Sequence, residues 1–371
     1  MTMIGSIVCV LGVFAASAGA VDDAAVRVGV EGALARIETA VLAGDAAAYL
    51  AEVDLTEPEF AHEQRYFAND LTTRRPVAFD LTLGEEIDVA SGVESGVASG
   101  MLTMAWGMEG KAARELAYRA RFVERDGRWL YGGEAWERFE ETPGVVVTHE
   151  KGLRGIAKAT SAAFAEVRGP IERLFGLEAS ALPGRTQVIR LYGSVKHLQA
   201  SITLSYEAGL SGWNEPGESI KLLAPREVRA KRLRSLVAHE YGHVASFEMG
   251  PRANFAPWWV LEGLAELAAA PYREGKREEQ VAAWAREGKL VAWDLLATFD
   301  IVQRDYGAHV YGQGRSMVAY VTERWGDEGR NAWVRAMSAG RTLDEATREA
   351  LGLSFAQVDA AWRGTLPAEE K

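Results

Sequence analysis

Two histidines four residues apart, in His239-Glu240-Tyr241-Gly242-His243, are followed after eighteen residues by Glu262, within Glu262-Gly263-Leu264-Ala265-Glu266. Read as two helices, this spacing restricts the fold sharply, because the helices must cross with these polar groups facing one another. Residues four apart share a helix face, so His239 and His243 can each present an imidazole nitrogen to one ion. Glu240 lies one step round the helix and is placed to act on a water at that ion. A tetrahedral catalytic site keeps one position open and needs a third protein ligand, for which Glu262 is the natural candidate. Glu266 shares Glu262's face and can accept a hydrogen bond from the second ring N–H of a ligating histidine, which fixes its tautomer. Zinc (Zn2+) is the ion this donor set predicts.

The flanking sequence agrees with the two-helix reading. Residues 226–247 contain no proline and set Leu233, Leu236, Val237 and Val244 around the histidines, the pattern of a buried amphipathic helix. Gly250-Pro251 ends that segment, and after Pro257 a second helix is expected over 258–270, closed by Pro271.

The pattern His-Glu-x-x-His, then Glu in a Glu-Gly-x-Ala context, resembles the gluzincin metallopeptidases, the group of thermolysin and the aminopeptidase N-like enzymes. In spacing it is most similar to the latter. The resemblance implies a zinc peptidase with His239, His243 and Glu262 as ligands and Glu240 as general base; its specific part is 237–270. Downstream, Tyr311-Gly312-Gln313-Gly314 opens an expected amphipathic helix carrying Met317, Val318, Val321 and Trp325. It resembles the aminopeptidase N-like segment that supplies a catalytic tyrosine, which makes Tyr311 the candidate donor to a developing oxyanion, with Tyr306 and His309 as rivals. The Gly-Ala-Met-Glu-Asn segment with which aminopeptidases hold a free amine is not found. In its place stands a turn-rich loop, Gly212-Trp213-Asn214-Glu215-Pro216-Gly217-Glu218, then a short strand over 219–223. The resemblance implies a sheet edge there, to which an extended peptide can add through main-chain hydrogen bonds. An endopeptidase is therefore expected ahead of an aminopeptidase; Glu215 and Glu218 are the carboxylates left for an amine, but in so polar a loop they read first as solvated residues. Two alternatives stay open: a catalytically silent zincin-fold binding or scaffold protein, and a zinc hydrolase of a non-peptide substrate.

The whole chain is expected to be α+β. Residues 4–16 form an apolar run too short to span a bilayer, and Ala18-Gly19-Ala20 follows, so 1–20 reads as a signal peptide. Export to a periplasm or the exterior is expected, with no stable membrane association after cleavage. Cys9, the one cysteine, lies inside this run, so the mature chain holds no thiol. A net charge of −11 without a Lys/Arg run excludes nucleic acid as a partner and leaves a peptide or protein substrate; the oligomeric state stays open.

Residues 21–142 read as a separate module. Leu34, Ile37 and Val41, then Tyr49, Leu50 and Val53, mark helical turns interrupted near Gly44. Alternation over 77–89, 98–108 and 115–123, with a turn at Asp126-Gly127 into Trp129-Leu130-Tyr131, predicts antiparallel strands. A helix followed by a curved antiparallel sheet is similar in outline to the NTF2-like or cystatin-like group, and Trp106, Trp129 and Trp136 are expected either in its core or lining a pocket. Glu141-Thr142-Pro143-Gly144 marks the boundary to a mainly helical zincin-type domain with a small sheet over 143–371. Within it a helix is expected over 149–168, a strand over 186–192 and a last helix over 355–362. His62, His149 and His197 have no partner spacing and read as surface or core residues.

Overall fold

Alternation in the first third of the chain becomes a four-stranded antiparallel sheet. The computed structural model describes residues 23–90, 96–206, 209–225, 227–273, 277–299, 302 and 306–369. The expected signal segment and Cys9 lie outside the described residues.

Helix α1 (Asp23–Ala43) buries Val26, Val30, Leu34, Ile37 and Val41, a stripe at steps of three and four that lies on the sheet. Two further helices follow, α2 (Ala46–Leu50), capped by Asp45, and α3 (Pro58–Leu71), which begins on a proline. Strands β1 (Ala78–Val89), β2 (Val97–Gly107), β3 (Arg114–Arg125) and β4 (Arg128–Glu134) pair in chain order. The β3–β4 turn takes Asp126 and Gly127 at φ 51° and 76°, the left-handed pair that matches strand twist. Trp106 and Trp129 fill the core beneath these helices, while Trp136 packs edge-on to Tyr192 and His197. Among the described residues the three tryptophans line neither large cavity, and the rings of Trp106 and Trp129 serve as core volume. A cavity of about 80 Å³ does lie under this sheet, but Tyr49, Phe79, Tyr118, Tyr131, Glu134 and His197 are among those that line it.

The second sheet contains β5 (Glu137–Phe139), β6 (Val145–His149), β7 (Gln187–Tyr192), β8 (Gly212–Trp213) and β9 (Ile220–Leu223), in the order β5-β6-β7-β9-β8. Its centre, β6-β7-β9, is parallel, and both outer pairs are antiparallel. Helix α4 (Arg154–Leu174) makes the crossover from β6 to β7, and α5 (Val195–Ala200) follows β7. Here the structure departs from sequence expectation. The helix expected from residue 149 starts at Arg154, and His149 instead ends a strand, since a short apolar run such as Val145-Val146-Val147 carries no periodicity that separates strand from helix. Strand β9 is flanked on both sides, so the sheet edge is the two-residue β8. Strand β5 lies on the N-terminal side of the expected boundary yet pairs with β6.

The remainder is helical: α6 (Ala230–Phe247), α7 (Trp258–Ala269), α8 (Arg277–Arg286), α9 (Gly307–Ser338), α10 (Leu343–Leu351) and α11 (Phe355–Arg363). Tyr241, Trp259, Val318, Trp333 and Trp362 are buried among them in one core that also takes in β6, β7 and β9. Helix α9 begins four residues before Tyr311 and is broken by Gly326 at φ 71°. The architecture is thus α+β, an N-terminal helix-and-sheet part followed by a mainly helical part with a small mixed sheet.

Candidate metal centre

Close approach of α6, α7 and α9 is possible because each carries a glycine at the crossing. A Cβ on Gly242 would lie 2.9 Å from the Ala268 Cβ and 3.0 Å from the Ala265 Cα. One on Gly263 would lie 2.6 Å from the Gly314 carbonyl oxygen, and one on Gly314 would lie 2.4 Å from that of Trp259. With no side chains between them, the helices bring the polar faces of α6 and α7 within reach of each other.

His239, His243 and Glu262 all meet there, each less than a tenth exposed, with one candidate donor atom from each lying within 4.8 Å of the others. Glu262 Oε2 stands 3.2 Å from His239 Nε2 and 3.7 Å from His243 Nε2. That oxygen is buried and makes no well-formed hydrogen bond, as expected of a carboxylate whose partner is an ion. Two imidazole nitrogens and one carboxylate fit zinc. On the far side of the ring, His239 Nδ1 lies 3.3 Å from Glu266 Oε1, and Arg273 holds the other Glu266 oxygen at 2.6 Å. With a proton on Nδ1 facing Glu266, Nε2 would be the nitrogen left to ligate an ion, whose binding would displace the second proton.

Charges within the cluster offset its burial. Desolvation works against a charged His239, but Glu262 and Glu266 outweigh it and push the imidazole up to about 10. Desolvation likewise works against an ionised Glu262, yet His243 and His239 hold it down to about 2. For Glu240 burial wins, and its carboxyl lies above the usual range despite both histidines and Asn214.

The three residues and Glu240 line one cavity of about 980 Å³, together with Tyr311, Trp213, Trp258, Phe247 and Phe299. Tyr311 sits in the second turn of α9, its ring 6.0 Å from that of His239. Neither rival lies there: His309 stacks on Trp284 at 4.0 Å and Tyr306 packs against His309. Glu215 reaches the cavity wall, where burial and the like charges of Glu218 and Asp70 push its carboxyl up to about 7 against the pull of Lys221, while Glu218 is buried and paired with Lys221 at 3.1 Å.

Three contributors escape a reading by spacing. Asn214 Nδ2 donates to Glu240 Oε2 at 3.0 Å and to the Glu240 carbonyl at 3.2 Å. Gly212 lies so close to Glu240 that a Cβ would be 2.3 Å from Oε1. Arg273 follows the proline that ends α7 and braces Glu266. The one signal for the first two is their position in a turn-rich stretch just before a strand.

No protein-family model matches the chain, and no curated protein matches it. Among solved structures it is similar to the M1 zinc metallopeptidase of Deinococcus radiodurans, at 14% identity over 80% of this chain and 63% of that one, with a TM-score of 0.38. A glutamate-to-alanine mutant of that enzyme matches at 13% identity over 79% of this chain and 95% of the other, again at 0.38. The same mutant bound to a Tyr-Ser-Ala substrate matches at 14% over 80% and 64%, at 0.35. This chain therefore spans less than two thirds of the first of these structures. The geometry of the site, and not this likeness, carries the functional reading.

Proposed function

We propose that the chain is an exported, zinc-dependent endopeptidase. One observation carries this: His239, His243 and Glu262 come together on the wall of an open cavity, and Glu240 lines the same cavity beside them. Bound zinc supplies Lewis acidity, which acidifies a water and polarises a carbonyl. Glu240 Oε1 or Oε2 accepts the proton of the attacking water and delivers it to the leaving amine nitrogen, one group serving both steps. Glu266 holds the proton on His239 Nδ1. The Tyr311 hydroxyl donates to the oxyanion as negative charge develops, where a preformed donor contributes most. Strand β8, at the open edge of its sheet, offers main-chain groups to an extended peptide, an arrangement that makes few demands on sequence. Internal cleavage is favoured over trimming because the sequence lacks the segment with which aminopeptidases hold a free amine, and Glu218, one of the two carboxylates left for that role, is paired with Lys221 at 3.1 Å. Export rests on the apolar run at residues 4–16 and its small-residue end. Among the described residues no helix is long and apolar enough to cross a membrane.

Hydrolysis of a mixed peptide library, read by mass spectrometry with zinc stoichiometry recorded, tests this. Wild type should cut internally; Glu240→Gln should keep zinc and lose about 10³-fold in rate; His243→Ala should lose zinc and activity together. Cleavage confined to chain ends would replace the endopeptidase by an aminopeptidase. An active Glu240→Gln variant, or zinc-loaded wild type that cuts nothing, would sink the peptidase reading.

A further inference from the structure

The loop that carries Asn214 is gripped from the N-terminal part of the chain. Tyr66 on α3 donates its hydroxyl to the Pro216 carbonyl at 3.2 Å. Gly217, at φ +85°, passes under His62, whose ring would lie 3.3 Å from a Cβ there. Glu63 accepts from the Ser219 hydroxyl, and also from the Ser219 amide at 3.4 Å. Three residues within one stretch of α3 therefore meet the loop between Asn214 and β9. Behind them the contacts are charged and buried. Arg190 of β7 donates to Glu63 at 3.1 Å and lies 3.7 Å from Glu134 of β4, while Lys221 of β9 pairs with Glu218. Glu63, Arg190, Glu218, Ser219 and Lys221 are all buried. Buried charges of this kind have few alternative arrangements in which every member stays paired, which favours a single arrangement of the loop.

At the other end of the same loop, Asn214 makes its two hydrogen bonds to Glu240, and Gly212 of β8, having no Cβ, leaves the space which that carboxylate occupies. We propose that the N-terminal part of the chain is a working component of the catalytic site: α3, through Glu63 and Tyr66, fixes residues 214–219 so that Asn214 orients the carboxylate of Glu240. Glu63, Tyr66 and Asn214 are positioning residues, and the proposal rests on the reading of Glu240 as general base. Small displacements of a base cost rate rather than binding, because the proton must be met in the transition state.

The test is a double-mutant cycle in the full chain, with Tyr66→Phe and Asn214→Ala alone and together, and zinc content and KM recorded for each. Tyr66→Phe removes one hydroxyl at a half-buried position and leaves the charge network whole, whereas Glu63→Gln strips Arg190 of a buried partner and is the variant at risk of misfolding. Tyr66→Phe should lower kcat about 10-fold with KM and zinc unchanged. Added to Asn214→Ala it should cost nothing further, since both act through one contact. A wild-type kcat in Tyr66→Phe, or losses that multiply, overturns the proposal. Hydrogen exchange over residues 212–219 separates this from failure of the peptidase reading. Should wild type cleave no peptide, faster exchange confined to that segment in Tyr66→Phe would still establish the clamp, and unchanged exchange would refute it.

Discussion

At the residue scale, the sharpest distinction lies among the three candidates for the oxyanion donor. Tyr311 is the one whose ring reaches the wall of the metal cavity, and its rivals are occupied with Trp284 and with each other. Replacing Tyr311 by Phe keeps the ring and its packing on α9 and removes one donor. Because that donor is used only as charge develops, kcat should fall about 10²-fold with a much smaller change in KM, measured by steady-state hydrolysis of a defined peptide. An unchanged kcat would remove Tyr311 from the mechanism. His239, His243, Glu262 and Glu266 are legible from the sequence because both pairs obey the helical repeat, so their faces follow from position alone. Asn214 is not legible in that way: its partner is 26 residues away in the chain and is reached only once β8 has docked on α6.

At the element scale, the site depends on how closely three helices pack. Gly263 follows the candidate ligand Glu262 and faces Gly314, three residues after Tyr311, so the α7–α9 crossing sets the position of both side chains. Alanine in place of Gly263 would put a methyl group 2.6 Å from a backbone oxygen. Backbone cannot move aside as a side chain can, so overpacking should cost about 1–3 kcal/mol even though alanine is the better helix former. Urea unfolding with the m-value held constant measures this, and a variant as stable as wild type would show that the crossing is loose. The same contrast explains which elements are readable in advance. Helices α6, α7 and α9 and strands β1 to β3 are long enough to show a period. Strands β5, β6 and β8 are three, five and two residues long, and they exist because neighbouring chain segments complete their hydrogen bonds. Their pairing places β8, and not β9, at the edge beside the candidate metal site, a consequence of tertiary pairing that no local pattern encodes.

At the scale of the whole molecule, the two sheets are joined through a buried charge cluster. His197 of α5 lies 3.0 Å from Glu150 and 3.6 Å from Glu134, the last residue of β4, while the rings of Tyr118, Tyr192 and Trp136 surround it. Burial opposes its charged form, but the two carboxylates prevail and raise its pKa from 6.5 to about 9. Burial also opposes an ionised Glu134, and His197 with Arg190 nevertheless lowers it from 4.5 to about 2. The signs then fix a window. Stability from protonated His197 is complete below 6.5 and is lost as pH rises through about 9, whereas that from ionised Glu134 is complete above 4.5 and is lost as pH falls through about 2. With these groups in command, resistance to unfolding is greatest between pH 4.5 and 6.5, and Tm should drop by several degrees on going to pH 9. Glutamine at position 197 cannot take up the proton, so His197→Gln should lower stability at pH 6 and flatten the alkaline slope. Thermal unfolding of both proteins across this range decides the matter: parallel slopes would mean that the junction between the two sheets does not depend on the charge of His197.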